Sequence, residues 1–347
     1  MRSIFLYFLF VVWGLFFTAC STQIQQKLPL QSTPSTVKFS TNSLNKIAII
    51  IPEQAIKSYS NVIINSSMAY LMRRDAKIEL KVFLIGTEDE NKLKAVIEKL
   101  QAQDFRFIIA GLTLRGANIL ANLKANHMYF YIPTINKNST SINASNIYFG
   151  GIDYDAQIQS LLSLSNGNIA SFYDNSALSN NLNQKLINQI GGVRTYTVVG
   201  EKINFPSLLR SKGSLSGASV FLNTPLVKSA IISSQLRSNG MYPYAILSTQ
   251  IGYNPTFLSL TQAEDRRKMI IANSILNDDL FLSHANEMLN QSLDYNWVAY
   301  ATSLGLDYFY SQKMNKASSL FKEKMQDNQI VYKIKLMQSL DFSFKEY

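Results

Sequence analysis

From Lys46 onward the chain alternates short apolar runs with stretches of helical periodicity, and this alternation limits the available folds more than any other feature. Residues 47–51, 78–84, 105–110 and 129–132 read as strands. Between them, 62–73, 92–100 and 116–123 carry apolar residues three and four apart, the spacing of a helix with one buried face. Strand and helix in turn build parallel sheets, because a parallel neighbour is reached only through a crossover, and such crossovers are right-handed. The expected class is therefore α/β.

A second series follows Asp153-Tyr154-Asp155. Its strands are 169–173, 194–199, 218–222 and 244–247, separated by helices at 156–164, 178–190 and 227–238. Two series predict two lobes, each a mostly parallel sheet flanked by helices. A stretch of about 300 residues also exceeds what one simple core fills. Lobe 1 is placed at about 46–150 and lobe 2 at about 151–270, with the C-terminal region shared between them. Past Asp279 the chain reads as mainly helical to about Lys324, with 330–334 as a final strand.

The first residues bear on the compartment. Arg2 is the one charge before an unbroken apolar run at 4–17, followed by Thr18-Ala19-Cys20-Ser21. A transmembrane helix needs about 20 apolar residues, so this shorter run with no stop-transfer flank reads as a signal peptide at 1–19. Phe17-Thr18-Ala19-Cys20 resembles the bacterial lipobox, in which small residues precede a cysteine that becomes an acylated N-terminus, although Phe17 stands where Leu is usual. Cys20 is the only cysteine of the 347-residue chain, so no intramolecular disulfide is possible. Acyl chains bury about 0.8 kcal/mol per CH₂, enough for several on one residue to hold a protein durably on a bilayer. Ser21 resembles the outer-membrane sorting signal of enteric lipoproteins. The resemblance implies a lipid anchor on Cys20 and an envelope protein that faces the periplasm.

Residues 20–45 are rich in Ser, Thr, Gln and Asn, with Pro29 and Pro34 and no hydrophobic period, and read as a flexible tether. About 25 residues at 3.3 Å would reach roughly 80 Å if fully extended. Loss of residues 1–19 removes Arg2 alone, so the formal charge falls from +10 to +9. Such a balance favours anionic lipid heads, peptidoglycan-associated acids or an acidic partner protein, and nucleic acid is not expected outside the cytoplasm. The densest basic run is Arg266-Arg267-Lys268.

Catalytic signatures are weak. His127 and His284 lie in different parts of the pattern with no cysteine or His-x-x-x-His spacing, so no metal site is expected. Ser35-Thr-Val-Lys38, Ser43-Leu-Asn-Lys46 and Ser319-Leu-Phe-Lys322 match Ser-x-x-Lys, but no Ser-Asp-Asn or Lys-Thr-Gly accompanies them. Gly213-Ser-Leu-Ser-Gly217 puts Leu215 where a nucleophile elbow needs serine, and no phosphate loop or dinucleotide fingerprint is present. Asp153 with Asp155, and Asp278 with Asp279, read as helix caps and turns, since residues this close in sequence rarely hold the separation of about 5 Å or more that glycoside hydrolysis requires. The expectation is a protein without catalysis or cofactor.

Two consecutive α/β lobes in a secreted lipoprotein resemble the type I periplasmic-binding-protein fold. Several segments, in order, resemble the C-terminal domain of the penicillin-binding-protein activator lipoproteins, the LpoA or LppC family. Lys46-Ile-Ala-Ile-Ile-Ile-Pro52 resembles that family's opening strand, and residues 78–87, IELKVFLIGT, its second. FIIAGL at 107–112 stands where the family has a strand ending in Gly-Pro-Leu, without the proline. Ile132-Pro133-Thr134-Ile135-Asn136 resembles its Pro-x-Leu-x-Leu-Asn segment in shortened form, and residues 243–253, PYAILSTQIGY, its Pro-Val-Tyr-Ala-Thr-Ser segment. Leu304-Gly305-Leu306-Asp307-Tyr308 resembles its Leu-Gly-x-Asp-Ala-Tyr helix and is the most specific match. The long helical-repeat region that precedes this domain in the enteric protein has only a short tether in its place, and the family's opening glycine-rich loop is replaced by Pro52-Glu53-Gln54-Ala55. The resemblance implies a regulator of peptidoglycan synthesis acting through a class A penicillin-binding protein.

The alternative is a tethered receptor for a small amino-acid-like or peptide ligand. In open α/β lobes a ligand sits at the carboxyl ends of the strands, between the lobes. The loops expected there supply Thr113, Arg115, Thr134, Asn136, Asp174 and Tyr253, with Arg115 and Asp174 as candidate partners for the carboxylate and ammonium of a zwitterion. The aromatic run Met128-Tyr129-Phe130-Tyr131 reads either as a partner surface or as core.

Overall fold

The computed structural model describes residues 45–200 and 203–347, and this part is one compact unit. The leader at 1–19, Cys20 and the tether as far as residue 44 lie outside the described residues, as do the first two Ser-x-x-Lys serines.

Two seven-stranded sheets organise the described chain. The first has strands β1 (Asn45–Ile51), β2 (Ile78–Leu84), β3 (Phe107–Ala110), β4 (Tyr129–Ile132), β5 (Ile147–Phe149), β11 (Lys324–Gln326) and β12 (Gln329–Val331), in the order β11-β12-β5-β4-β3-β1-β2. The second has β6 (Ile169–Tyr173), β7 (Arg194–Thr197), β8 (Ser219–Leu222), β9 (Ala245–Ser248), β10 (Met269–Asn273), β13 (Lys335–Ser339) and β14 (Phe344–Glu346), ordered β14-β13-β10-β9-β8-β6-β7. All pairings are parallel except β11 with β12, β10 with β13 and β13 with β14.

Helices cover both faces of each sheet. In chain order they are α1 (Tyr59–Arg74), α2 (Glu90–Ala102), α3 (Leu114–Asn122), α4 (Tyr154–Leu162), α5 (Ala177–Ile190), α6 (Phe205–Arg210), α7 (Leu226–Ser238), α8 (Pro255–Leu260), α9 (Leu280–Met288) and α10 (Trp297–Asp307). The pleat of β1 shows why it reads as continuously apolar: Ile47, Ile49 and Ile51 face a core with α1 and α10 residues, while Ala48 and Ile50 face one with α2 and α3 residues. Met128, Phe130 and Tyr131 of the aromatic run are fully buried, so that run is core.

One member of each acidic pair is a helix cap, and the other pairs with a lysine, Asp155 with Lys185 and Asp278 with Lys322. Asp153 accepts the Ala156 N–H at 3.0 Å at the start of α4, and Asp279 accepts that of Leu282 at 2.9 Å at the start of α9. The expected helical stretch to Lys324 ends early: α10 runs into a π-helical segment, Tyr308–Lys313, and the chain then loops into the β11–β12 hairpin. The strand expected at 330–334 is shorter, because residues 332–334 cross to the other lobe. The chain also crosses at about 150–153 and 274–279, so three segments join the lobes.

A buried and a half-buried carboxylate tie distant segments. Asp265 is held by the Arg237 guanidinium, the Ser234 hydroxyl and the Gln262 N–H, and Asp279 by Arg73 and its capped N–H groups. Burial pushes both carboxyls up, but these donors outweigh it and hold both below the ordinary carboxylate range. A depressed folded value means that the unfolded chain takes up the protons first. The stability from these groups is therefore present above the unfolded value of about 4 and is lost as pH falls through the folded values. The urea midpoint is expected to hold steady from neutrality to about pH 5 and to drop steeply below about pH 4, with a shallower drop in Asp265→Asn. A flat profile between pH 6 and 3 would refute this.

Candidate functional site

Doubly wound sheets bind ligands outside the carboxyl ends of the strands, where successive crossovers run to opposite sides. Here that switch lies between β1 and β3 in lobe 1 and between β6 and β8 in lobe 2. The loops after these strands are where a ligand would be expected between the lobes, and the polar groups of this strand-end crevice are largely bonded to the protein itself.

On the lobe 1 side, Thr113 stands before α3. Its N–H donates to Glu88 Oε1 at 2.6 Å and its hydroxyl donates to Glu88 Oε2. Gly116, one turn on, leaves the space that Glu88 fills, since a Cβ there would collide with the carboxylate. The Thr134 hydroxyl donates to the Leu112 carbonyl at 2.6 Å. Asn136 is buried and donates to the Gly151 carbonyl at 3.0 Å while its side-chain oxygen accepts the Asn138 N–H at 2.9 Å, so it braces the first crossover. Arg115 is exposed on α3 and makes no ion pair among the described residues.

On the lobe 2 side, Asp174 follows β6 and is 3% exposed. It pairs with Lys228 of α7 at 2.6 Å and accepts from the Ser176 hydroxyl at 2.6 Å and N–H at 3.0 Å. Burial alone would raise its carboxyl, but the Lys228 ammonium and the Ser176 donors together hold it below the ordinary range. Its charge is thus neutralised within lobe 2, and the expected pairing of roles with Arg115 is not assembled.

Tyr253 lies elsewhere, on the flank where the lobes meet. Its ring is 5.3 Å from that of Tyr295 and 4.8 Å from that of Phe344, and burial pushes its phenol up to about 12. The structure therefore gathers Thr113, Thr134 and Asn136 along lobe 1, sets Asp174 in lobe 2, leaves Arg115 in solvent and removes Tyr253 to a different surface.

Residues beyond the sequence expectation complete the crevice. Gln157 of α4 is fully buried and donates to the Ser274 hydroxyl at 2.7 Å, while its own oxygen accepts the Gln250 N–H at 2.9 Å. Gln250 in turn donates to Asn273 Oδ1 at 3.0 Å and accepts the Ser274 N–H at 2.6 Å. This closed amide network fixes the lobe 2 ends of two crossovers. Two buried oxygens at strand ends, Asn223 Oδ1 after β8 and Thr249 Oγ1 after β9, have no partner. A lone amide or hydroxyl in a loop looks the same in sequence whether paired or orphaned, so only the fold distinguishes these.

Ser319 of the remaining Ser-x-x-Lys match donates its hydroxyl to Asp307, and Lys322 is paired with Asp278. Neither is free to act as a nucleophile and base pair.

No protein-family model matches the chain, and no curated protein matches it in sequence. Solved structures do share its shape. The branched-chain amino acid transporter substrate-binding protein LivJ from Streptococcus pneumoniae, solved with isoleucine, has a TM-score of 0.60 at 12% identity, over 87% of this chain and 98% of that one. Full-length LpoA from Haemophilus influenzae gives 0.58 at 10% identity, over 88% of this chain and 59% of that one. The LpoA C-domain of the same organism, described as a regulator of PBP1A, gives 0.56 at 10% identity, over 87% and 99%. The chain therefore spans about three-fifths of full-length LpoA. These likenesses establish a two-lobed type I periplasmic-binding-protein-like fold, one carried by solute-binding proteins and by a regulator alike.

Proposed function

We propose that this chain is a lipid-anchored, non-enzymatic regulator of peptidoglycan synthesis, held through Cys20 on the outer membrane and facing the periplasm, that acts by binding a class A penicillin-binding protein. The observation that carries this reading is an apolar strip on lobe 1. Helices α1 and α9 lie antiparallel, with Asn65 Nδ2 donating to the Leu289 carbonyl at 3.2 Å at one end and Arg73 paired with Asp279 at 2.9 Å at the other. Along them Met68, Met72 and Met288 are exposed, and Leu280 and Phe281 are 81% and 75% exposed. Exposed apolar groups gathered in this way mark contact surfaces, and methionine adapts readily to a partner's shape. The self-satisfied crevice adds support, since a zwitterion entering it would have to displace bonds already made.

The test is co-purification of the full-length chain with the class A synthases of its own organism, together with their rate of glycan polymerisation. Binding and stimulation are expected, and Phe281→Asp combined with Met288→Asp should weaken binding at least about tenfold, or 1.4 kcal/mol, without shifting the unfolding midpoint. Absence of both binding and stimulation with every such synthase would sink the reading.

A second reading, a solute receptor, draws on the unpaired Asn223 and Thr249 oxygens at the lobe 2 strand ends. Unpaired buried acceptors and donors are what an arriving ligand would satisfy. A rise in unfolding temperature with one free amino acid, reversed by substitution of Asn223, would favour it.

A further inference from the structure

We propose that a cavity on the outer flank of the hinge, distinct from the strand-end crevice, binds a short zwitterionic peptide. The cavity, of about 870 Å³, is bounded by the second and third crossovers and by the two C-terminal hairpins, β11–β12 of lobe 1 and β13–β14 of lobe 2. Its size falls in the range of about 300–1,000 Å³ typical of small-ligand sites. Of the crevice residues expected from the sequence only Tyr253 lines it, while Asn273 of the amide network reaches it from the other side.

The charges along its wall set the ligand chemistry. Lys322 is paired with Asp278 and Lys335 with Glu346, which leaves two acids and two bases without an ionic partner among the described residues. The acids are Asp294, held only by the neutral donors Asn277 at 2.8 Å and Ser283, and Glu323, whose oxygen accepts the Tyr300 hydroxyl at 2.6 Å. The bases are Lys324 and Lys333. Burial pushes the Glu323 carboxyl up, the signature of a carboxylate that lacks a cation. An ammonium beside Glu323 and Asp294, and a carboxylate beside Lys324 and Lys333, would each supply a missing counter-charge. The tilted rings of Tyr253 and Tyr295 also line the cavity, an amphipathic surface suited to a peptide backbone with small side chains. Because both lobes and two crossovers line the cavity, a bound peptide would hold the lobes at one angle. None of these residues belongs to the α1–α9 strip, so the site stands whether or not a synthase binds there.

The test is isothermal titration calorimetry on the full-length chain with two probes, trialanine and Ala-Glu-Lys, each with free termini and in acetylated or amidated form. At least one free peptide should bind, and blocking either terminus should weaken it about tenfold or more. Glu323→Gln, and Lys324→Ala combined with Lys333→Ala, should each produce a similar loss. Both lysines are exposed, so the double variant should fold normally, and Arg115→Ala in the crevice should leave binding unchanged. No heat from either free peptide at millimolar concentration, or binding that survives blocked termini or these substitutions, overturns the proposal.

Discussion

Replacing Asp307 with alanine is expected to destabilise the folded chain by about 3–5 kcal/mol, because it removes one partner of a buried ion pair and strands the other. Asp307 is 2% exposed at the end of α10. Its carboxylate accepts the Arg74 guanidinium at 2.6 Å and the Tyr70 hydroxyl at 2.8 Å, together with the Ser319 hydroxyl and the Leu320 N–H. One side chain thus fastens α1, α10 and the segment that leads to the β11–β12 hairpin. Arg74 also lies over the rings of Tyr70 and Tyr310, so it cannot swing out to water without losing those contacts. Urea unfolding would measure the loss. Arg74→Met added to Asp307→Ala should recover part of it, since an unpaired buried charge is the main penalty. A change under about 1 kcal/mol in the single variant would show that the network is not held as described.

Gly305→Ala is expected to be nearly as damaging, about 3 kcal/mol or more, at the upper end of what overpacking a core costs. A Cβ at Gly305 would collide with ring carbons of Tyr131, which is fully buried against α10. The ring cannot retreat: its hydroxyl donates to the Ala301 carbonyl at 2.8 Å, and on the far side a Cβ at Gly150 would strike the same hydroxyl. Shrinking the obstacle should therefore rescue the variant. Gly305→Ala with Tyr131→Leu is expected to be markedly more stable than the sum of the two single changes predicts, read from unfolding midpoints. Strict additivity would contradict the proposed collision.

Both residues belong to the segment Leu304-Gly305-Leu306-Asp307-Tyr308, which stood out in the sequence as the most specific resemblance. Its work in the structure is packing and anchoring, which explains the combination of a small residue and an acid two positions apart on a fully buried helix. The central strands were legible for a comparable reason: β1 is buried on both faces, and only an unbroken apolar run satisfies that environment. Of the four C-terminal strands only the second was anticipated, as part of the expected 330–334. Lys324–Gln326 and Phe344–Glu346 have three residues each, two of them charged or polar, too short to show a period; they are strands because a sheet edge offers them hydrogen bonds. Misplacing those hairpins also misplaced Tyr253, whose neighbour Phe344 comes from β14. Topology pointed to the strand-end loops, but the state of their side chains was not legible, because Asp174 and Lys228 lie 54 positions apart and no local pattern records that they pair.

The two lobes differ from beads on a string in the order in which they can be finished. Both sheets take their outer hairpins from the final stretch of chain, residues 324–331 for one and 335–346 for the other, and α9 and α10 return to lobe 1 only after lobe 2 has been traced. During synthesis, then, the chain built to residue 162 has made five strands of a lobe that still lacks two of its covering helices, and the β1 face that α1 covers in part stays without α10 until about 145 further residues have been added. A chain interrupted before residue 324 would therefore lack an outer hairpin on both sheets and leave two open sheet edges rather than one finished half.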